Sequence, residues 1–553
     1  MPAAASELPG RGSDFLQLAV CDLPGGGKAE WLAGRLRQAI ADGRLAVGSR
    51  LPPTRVLAAE LRVSRGVITE AYRRLAEDGH LEGRRRGGTV VVAAPFASPD
   101  AGSRGGGRAS GEATGATVRA GQGRPAQGES GTPRTTSGTP RTTVRGTVPP
   151  AEPDVPYSRT SGTVPPPPPS PLSPTSPFSR TPGPDVFDAL RDAPATVDFT
   201  PGRPDLATFP RTAWLRAERA VLAELSAEHL GYGDPRGAPA LRRAVADWLA
   251  RMRGVRVEPD EVLIVAGTAQ ALTLLHQVLR TDGIDAVAVE DPGSLGGRQH
   301  LRNGGLATPP VPVDEEGVRV DALRATGARA VLLTPAHQFP TGVVTSGERR
   351  RELLGWARDG GLILEDDYDA EHRYDRPPVP ALRALLADRV CYMGSVSKLL
   401  APALRIGWLV APPRYRADLV DAKRFNDLGN AVLPQLVLAR LMESGGLERQ
   451  LRLLRRRHRD RRDAMIAALA EQLPGGTVHG AAAGLHLTVT YAANVPDAEF
   501  AAAALTRGVK CQPLSWHRQL PGRPGLVLGY AASAPGAIAE GVALLGDTLR
   551  ELT

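Results

Sequence analysis

Six short apolar segments, separated by longer stretches of helical pattern, most constrain how this chain of 553 residues can fold. Between residues 185 and 553 they read, in order, VLIVAG, AVAVED, AVLLTP, GLILEDD, VCYMGS and RIGWLVA. Each segment is short and rich in aliphatic residues, as buried strands are. Strands that alternate with helices form a mostly parallel sheet. The pattern therefore predicts an α/β domain with a mostly parallel central sheet over residues 185–553.

Residues 94–184 have a different composition, dominated by Pro, Gly, Ser and Thr with scattered Arg. They include the run PPPPPS at 165–170 and two similar SGTPRTT-like segments near 130–143. Such a stretch lacks the apolar residues needed to bury a core. We therefore predict a long disordered linker between two folded units.

Residues 28–93 are compact and patterned. Apolar spacing predicts a first helix over about 30–42, a second that starts at Pro52 or Pro53, and a third over 64–75. Ser64 is the expected N-cap of the third helix. The basic segment RRRGGTVVV predicts a strand that closes a wing. This order of elements predicts a winged helix-turn-helix.

A winged helix-turn-helix reads double-stranded DNA mainly through its third helix, whose N-terminal residues lie closest to the bases. We expect Val56, Leu57 and Leu61 of the second helix to face the core. The net charge of +9 is concentrated in the first 184 residues, where a polyanion would be met. A small interaction domain with a solvated basic face is the alternative. The predicted DNA-binding residues are Arg55, Ser64, Arg65, Thr69, Arg73 and Gly88.

Cysteine usage and the lack of long apolar runs restrict where the protein works. Its three cysteines are widely spaced, so neither a disulfide framework nor a metal cluster is expected. No apolar run is long enough to cross a bilayer, and the N-terminus lacks a signal-peptide pattern. We expect a cytoplasmic protein.

Lysine is scarce in this chain, which has only four among its 68 basic side chains: Lys28, Lys398, Lys423 and Lys510. Lys398 lies in GSVSKLLAPALRIGW, with Ser395 and Ser397 before it and Arg405 after it. A buried lysine can lose its proton and form a Schiff base, whereas arginine cannot. Two hydroxyls and a guanidinium around such an amine predict a site for a phosphorylated aldehyde, namely pyridoxal phosphate (PLP).

PLP chemistry requires an anion beside the pyridine nitrogen and a donor beside the phenolic oxygen. Asp366 ends the segment GLILEDD, so it is predicted at the carboxyl edge of the sheet, where α/β folds bind ligands. Tyr368 is predicted to reach the phenolic oxygen. The remaining acids of this run, Asp367, Asp369 and Glu371, are expected to be solvated.

A phosphate-binding turn is predicted in VLIVAGTAQAL, where a strand runs into a helix through Gly267, Thr268 and Ala269. Free backbone N–H groups and the helix dipole bind an anion at such a turn. The two serines of the lysine segment and Arg405 are predicted to complete the cradle, because arginine binds phosphate through two nitrogens.

These motifs carry two family resemblances. LPPTRVLAAELRVSRGVITEAYRRLAEDGHLE resembles the GntR family of bacterial regulators over residues 28–93. The segments GYGDPRGAPALRRAVADWL, AGTAQAL, VEDPGSLGGRQ, TPAHQFPTG, EDDYDAEHRY and GSVSKLLAPALRIGW resemble, in this order, fold-type I aminotransferases. The fused arrangement resembles the MocR subfamily of GntR regulators. It implies a DNA-binding domain over 28–93, a linker over 94–184 and a PLP-binding effector domain of the aminotransferase class I/II type over 185–553.

The resemblance also implies roles for individual residues and a homodimer. His337 and Gln338 are expected to line the pocket. The implied roles are a Schiff base at Lys398, a contact with the ring nitrogen from Asp366, one with the phenolic oxygen from Tyr368, phosphate contacts from Thr268, Ser395, Ser397 and Arg405, and a contact with the phosphate of the neighbouring subunit from Tyr232.

Two departures from the family pattern bear on function. Ser294 stands where the family usually presents an aromatic ring to the pyridine, so that either the stacking is lost or Leu295 supplies a looser contact. The strand GLVLGYAAS (525–533) has no Arg for a substrate carboxylate, and Arg523 is the nearest one. Both departures weaken the expectation of efficient amino-acid transamination.

The sequence therefore predicts a PLP-dependent transcription regulator that senses PLP or an amine or amino-acid ligand. One alternative is an active aminotransferase that carries a DNA-binding anchor and retains transaminase activity. Another is a sensor that no longer holds PLP.

Overall fold

The computed structural model describes residues 27–41, 45, 49–78, 80–84, 88–92, 176–179, 182–374 and 379–553. The prediction of a disordered linker falls largely on residues 94–175, which lie outside the described residues. Ordered structure nevertheless precedes residue 185. Phe178, in a helical turn over Pro177–Ser179, is 4% exposed and stacks on Trp516 at a ring-centroid distance of 5.2 Å. The Phe178 side chain is thus part of the core, although its residue lies within the segment 94–184 that the composition predicted to be a disordered linker.

The N-terminal unit is a winged helix-turn-helix, as predicted. Its strands pair antiparallel, with Leu81 opposite Val91 and Arg84 opposite Gly88. Residues 85–87, at the tip of the wing, lie outside the described residues. The elements are α1 (Lys28–Ala41), α2 (Thr54–Glu60), α3 (Arg65–Glu77), β1 (Leu81–Arg84) and β2 (Gly88–Val91).

The short second helix buries a narrower face than expected. Leu57 and Leu61, four residues apart, are both fully buried, since this spacing places them on one face. Val56 is 40% exposed, so the prediction that it faces the core was wrong. It is offset by about 100° from Leu57 around a helix of 3.6 residues per turn. Tyr72 of α3 ties the start of α2 in place by donating a hydrogen bond to the Pro52 carbonyl at 2.9 Å.

The C-terminal unit alternates helices and strands. Its helices are α4 (Pro184–Asp192), α5 (Arg211–Glu224), α6 (Pro239–Arg253), α7 (Thr268–Thr281), α8 (Leu295–Asn303), α9 (Val320–Ala325), α10 (Gly347–Arg358), α11 (Pro413–Asp427), α12 (Val432–Glu443), α13 (Gly446–Gln472), α14 (Asp497–Thr506) and α15 (Pro535–Leu552). Its strands are β3 (Val197–Asp198), β4 (Val262–Val265), β5 (Val287–Asp291), β6 (Pro310–Asp314), β7 (Gly317–Val318), β8 (Ala330–Leu333), β9 (Leu362–Asp367), β10 (Val390–Ser395), β11 (Gly407–Val410), β12 (Thr477–His479), β13 (His486–Thr490), β14 (Val509–Lys510), β15 (Gln512–Pro513) and β16 (Gly525–Gly529).

The central sheet has eight strands in the order β4-β11-β10-β9-β8-β5-β6-β7. Strands β10, β9, β8, β5 and β6 pair in parallel, whereas β11 pairs antiparallel with both neighbours and β7 pairs antiparallel with β6. The six apolar segments of the sequence are β4, β5, β8, β9, β10 and β11, which lie next to one another. The predicted α/β fold with a mostly parallel sheet is therefore confirmed.

Both faces of the central sheet are buried. Along β4, Val262 and Ile264 belong to one apolar cluster while Leu263 and Val265 belong to another. Successive side chains of a strand point to opposite faces, so the clusters lie on the two sides of the sheet. This explains why the strand segments read as continuous apolar runs.

A second sheet, antiparallel, has the order β12-β13-β16-β15. Leu487, Leu526 and Leu528 contribute to a separate core that also includes residues of α13, α14 and α15. We call this part, from α13 to the C-terminus, the C-terminal subdomain. No helix among the described residues is long and apolar enough to span a bilayer.

Removal of the Phe178 ring tests whether residues before 185 belong to the folded unit. Phe178→Ala leaves a cavity beside Trp516, and such a change costs about 3–5 kcal/mol of unfolding free energy. Urea unfolding at fixed protein concentration measures the loss. Leu453→Ala, at a side chain that is 37% exposed, is the control and should have little effect. Equal effects of the two substitutions would contradict the assignment.

Candidate cofactor site and recognition helix

A cavity of about 170 Å³ opens at the carboxyl edge of the central sheet. Thr334 follows β8, Asp366 lies at the end of β9, and Lys398 follows β10 by three residues. Parallel strands end at the same edge, so these side chains converge there. The lining residues are Gly202, Ser294, Thr334, Phe339, Asp366, Tyr368, Lys398, Leu485 and His486.

Lys398 is a nearly buried amine inside this cavity. Its Nζ donates a hydrogen bond to the Gly202 carbonyl at 2.5 Å. Burial lowers the pKa of the amine, and the carboxylates of Asp369 and Asp366 partly oppose that shift. A lowered pKa increases the fraction of uncharged amine, which is the nucleophilic form.

Asp366 faces the same cavity with one oxygen unsatisfied. Burial, followed by the charges of Asp367 and Asp369, raises the pKa of its carboxyl to about 7. Its Oδ1 is buried and has no hydrogen-bond partner. Buried acceptors are nearly always paired, so this atom is suited to receive a donor from a ligand.

Tyr368 is oriented by a histidine that is itself held by a carboxylate. His337 Nδ1 lies 2.9 Å from Asp369 Oδ2 and 3.0 Å from the Tyr368 hydroxyl oxygen. A carboxylate only accepts, so the proton is on Nδ1 of His337. The Tyr368 oxygen therefore lies within hydrogen-bonding distance of that N–H, and burial, followed by the charge of Asp369, raises the pKa of its hydroxyl well above the usual range, so the group stays protonated.

The predicted phosphate turn lies where β4 passes into α7. Gly267 is the N-cap of α7 with φ of 81°, in the left-handed region that favours glycine. A Cβ at this position would lie 3.2 Å from Arg405 Nη2. Arg405 donates to the Ala266 carbonyl, and Gln270 Oε1 accepts from the Ala266 N–H at 2.8 Å. The helix N-terminus and the guanidinium thus face the same turn, which is the donor set that an anion requires.

The serines of the lysine segment border this turn. Ser395 ends β10 opposite Gly407 and is 9% exposed, and its Oγ accepts from the Ser397 N–H at 3.4 Å. A Cβ at Gly407 would lie 3.0 Å from the Gly267 Cα, so the two glycines let the strand end approach the turn.

Three residues expected at the pocket, His337, Gln338 and Leu295, are not among those that line the cavity. Gln338 donates to the carbonyl of Pro292, just after β5, and to that of Phe339 in its own loop, and it accepts from Thr341. Leu295 is buried in the core of the C-terminal subdomain and supplies no ring contact. Tyr232 is 95% exposed, away from this chain's own cavity lining.

The acidic run after β9 is buried, which corrects the expectation that it is solvated. Asp367 lies 2.5 Å from Arg253 Nε and accepts from the Tyr392 hydroxyl at 2.5 Å. Asp369 pairs with His337, and burial raises the pKa of Glu371 to about 7. A central strand has no solvated face, so the charges that follow it need internal partners.

Several lining residues were not anticipated. Thr334 and Phe339 lie within the motif TPAHQFPTG. The motif predicted that this loop reaches the pocket, but it did not indicate that these two side chains line it. Gly202, Leu485 and His486 come from segments distant in sequence from every strand end of the central sheet. No local pattern marks such residues, because the fold alone brings them to the cavity.

Ser294 caps α8 and does not replace the missing ring. Its Oγ accepts from the Gly297 N–H at 3.1 Å, and the residue lines the cavity. Loss of stacking on the pyridine therefore stays a prediction.

Of the six residues predicted to bind DNA, four lie on α3 or at its N-cap, whereas Arg55 is exposed on α2 and Gly88 begins β2. Ser64, Arg65 and Thr69 are exposed at and beyond the start of the helix. Ser64 occupies the N-cap position but makes no side-chain cap, so the predicted capping bond was wrong and its hydroxyl stays available. Arg65 Nε donates to Thr54 Oγ1 at 3.2 Å, and Arg73 pairs with Glu70 at 2.6 Å.

The groups of the cavity, taken with those of the Gly267 turn, fit PLP, the cofactor that the fold implies. An amine, an orphaned buried carboxylate oxygen, a hydroxyl donor and a glycine turn facing a guanidinium match its aldehyde, ring nitrogen, phenolic oxygen and phosphate. The donors and acceptors present are therefore complementary to each polar group of the cofactor.

Comparison with known proteins identifies both units. The family model for bacterial regulatory proteins of the gntR family matches residues 28–91, and that for aminotransferases of class I and II matches residues 196–523. The chain is 30% identical to the probable rhizopine catabolism regulatory protein MocR of Rhizobium meliloti, over 92% of this chain and 91% of that protein. It is 28% identical to the pyridoxine biosynthesis transcriptional regulator PdxR of Corynebacterium glutamicum, over 91% of each.

Among solved structures, the α-aminoadipate aminotransferase LysN of Thermus thermophilus, complexed with N-(5'-phosphopyridoxyl)-L-leucine, matches with a TM-score of 0.60. It is 31% identical and covers 66% of this chain and 94% of its own. The protein thus joins a gntR-type winged helix to an aminotransferase fold. The chain belongs to the MocR subfamily of GntR-family regulators.

Two buried histidines near the lysine segment make stability depend on pH. The rings of His372 and His458 lie 5.0 Å apart, and burial lowers the pKa of each to about 3. The unfolded chain binds protons near pH 6.5, so acidification between 6.5 and 3 destabilises the fold. Each histidine contributes a loss of about 2 kcal/mol at pH 5. His458→Gln should reduce, by about that amount, the stability lost between pH 7 and pH 5 in urea unfolding.

The control is His229→Gln at an exposed site, which should leave the pH dependence unchanged. An unaltered loss in the His458 variant would mean that the buried pair accepts protons in the folded state.

Proposed function

We propose that this protein is a PLP-dependent DNA-binding transcription regulator in which the aminotransferase-like unit senses PLP or an amine. The observation that carries the proposal is the convergence of Lys398, Asp366 and Tyr368 in one cavity of a chain that also bears a winged helix-turn-helix. PLP supplies, when bound, an electron sink and an aldehyde carbon that forms a double bond to an amine nitrogen.

Each side chain of the cavity has a defined task toward the cofactor. Lys398 provides the amine of the Schiff base. Asp366, as a carboxylate, holds a proton on the pyridine nitrogen, and Tyr368 donates to the phenolic oxygen. The phosphate is held by Gly267, Thr268, Ala269, Ser395, Ser397 and Arg405. The exposure of Arg405 and its position at the α7 N-terminus support this assignment.

The DNA contacts are divided between base readout and backbone positioning. Arg65 and Thr69 on α3 read base edges in the major groove, and Arg73 reaches them after leaving its pair with Glu70. Arg55 contacts a phosphate, and Ser64 and Gly88 border the groove from the turn and the wing. This division follows the way a recognition helix enters the groove.

The proposed assembly is a homodimer in which Tyr232 reaches the phosphate site of the partner subunit. Large apolar side chains are exposed on the loop that carries Tyr232 and at the end of α11, which supports burial by a second copy. They include Leu230 at 64%, Phe425 at 86% and Leu428 at 54%. Two DNA-binding units in a dimer require two operator half-sites.

The effector acts by binding two arrangements of the dimer with different affinity, because a ligand shifts an equilibrium only by that difference. An aminotransferase with a DNA-binding anchor is the competing function, and catalytic turnover separates the two. A regulator needs reversible ligand binding at Lys398 without net conversion of the ligand.

Substitution of Lys398 tests the cofactor anchor. The protein with added PLP should show a visible absorption band that borohydride removes, and Lys398→Ala and Lys398→Arg should both lack it. Arginine keeps the charge but cannot form the Schiff base. Lys28→Arg, in the N-terminal unit, is the control and should keep the band.

The same samples are assayed for transamination with amino acids and keto acids, and for operator binding. Sustained turnover would favour the enzyme over the regulator. A band that survives in both Lys398 variants would place the anchor at another amine.

Substitutions of Arg65 and Arg55 test the proposed division between contacts with base edges and contacts with phosphates. Arg65→Ala should cost about 1–3 kcal/mol on the operator and reduce its preference over unrelated DNA. Arg55→Ala should weaken all sequences alike and reduce the slope of log affinity against log salt by about one. Arg35→Ala, exposed on α1, is the control. Identical behaviour of the Arg55 and Arg65 variants would overturn the assigned division.

A further inference from the structure

Phe339, Leu485 and His486 form a wall of the cavity that is neutral and largely aromatic. Phe339 lies 5.0 Å from the His486 ring and 5.0 Å from the His517 ring, measured between centroids. Leu485 adds an aliphatic surface beside them. Burial lowers the pKa of His486 well below its usual range and that of His517 to about 3, so both imidazoles are uncharged at neutral pH.

Strand β16 provides no cation to this wall. Leu526 and Leu528 point into the core of the C-terminal subdomain. Val527 pairs directly with Thr488 of β13, so the two side chains share the opposite face of the sheet. Thr488 Oγ1 donates to the Pro340 carbonyl at 2.6 Å, and His486 lies 3.1 Å from the same oxygen. The face that carries Val527 is therefore the one packed against the loop of Phe339.

Among the described residues that line the cavity, Lys398 is the only cationic one. Arg405 faces the phosphate turn. Arg298 lies behind His517, donates to the Trp516 carbonyl at 3.1 Å and does not line the cavity. Asp366, in contrast, is an acid within the lining. A ligand carboxylate entering here would lose its water without gaining a charged partner.

We infer that the effector pocket selects primary amines that carry an apolar or aromatic substituent and no carboxylate. The inference rests on the proposed function, since it concerns the site of Lys398. The ligand nitrogen forms the double bond to the cofactor carbon while the bond from that carbon to Lys398 Nζ breaks, and Lys398 leaves as a free amine with the protons of the incoming amine. The substituent then packs against Phe339, Leu485 and His486.

A matched pair of ligands tests this selectivity. 2-Phenylethylamine and L-phenylalanine share the amine and the ring and differ in the carboxylate. The PLP-loaded protein is titrated with each at one pH, and the affinities, corrected for the free-amine fraction, are read from the absorption band and from operator binding. 2-Phenylethylamine should bind at least about tenfold more tightly, which corresponds to a cost of about 1.4 kcal/mol or more for the unpaired buried carboxylate.

A substitution in β16 provides the converse test. Val527→Arg places a cation on the face of Thr488 and should raise the affinity for L-phenylalanine about tenfold or more, since a charge-assisted hydrogen bond replaces an unpaired carboxylate. Val527→Leu is the matched control and should leave the preference for the amine unchanged. If the arginine variant does not fold, the affinities of the unaltered protein for 2-phenylethylamine and L-phenylalanine still test the proposed selectivity.

The failure of this inference is distinguishable from that of the proposed function. An unaltered protein that takes up PLP but binds L-phenylalanine as tightly as 2-phenylethylamine, or binds neither, overturns the selectivity alone. A protein without a borohydride-sensitive band overturns the proposed cofactor site, and the selectivity with it.

Discussion

The buried ion pair between Arg253 and Asp367 fixes the strand end on which the cofactor site depends. The two atoms nearest each other are 2.5 Å apart, and each side chain is 1% exposed. Tyr392, on the neighbouring strand, donates to the same carboxylate oxygen. Successive residues of a strand point to opposite faces, so holding Asp367 on one side directs Asp366 to the other. Loss of one partner from such a pair typically costs about 3–5 kcal/mol.

The other buried acids around the site also position backbone. Glu290 accepts from the Thr334 N–H at 3.0 Å and from its hydroxyl at 2.6 Å, which fixes the loop after β8. Glu365 accepts from the N–H groups of Leu382 and Arg383. Burial raises the pKa of both carboxyls. These buried acids thus fix the loops around the cavity. Their hydrogen bonds compensate part of the free-energy cost of burying the carboxyl groups.

The sequence predicted what local patterns encode. The six apolar segments are six adjacent strands, and the order of helices in the first 93 residues is that of a winged helix-turn-helix. Lys398 and Asp366 were found because each lies at or just beyond the end of such a strand. The edge strands β6 and β7 were missed, since they are short, partly polar and contain Pro.

Long-range packing accounts for the remaining differences. Phe178 follows a Pro-rich segment, and its contact with Trp516 is invisible in the local composition. Leu485 and His486 reach the cavity only because β13 pairs with β16 and packs on the Phe339 loop. The acids after β9 were expected in solvent because acidic runs usually are, whereas Asp367 and Asp369 meet Arg253 and His337. These partners lie 114 and 32 residues away in the chain.

The two departures, at Ser294 and in the strand 525–533 that has no Arg, affect the same chemical requirement. Catalysis on an amino acid requires the reacting bond to be held in one orientation, and that demands contacts at more than one end of the substrate. Here the contacts expected for the cofactor are kept, while a ring over the pyridine and a cation for the carboxylate are absent from the described positions where the fold would supply them. A ligand joined through its amine and packed on a neutral wall, as we propose, would be bound but not oriented for reaction. Such loose orientation of the ligand is a disadvantage for an enzyme, which must align the reacting bond. It is no disadvantage for a sensor, whose response depends only on the fraction of sites that hold ligand.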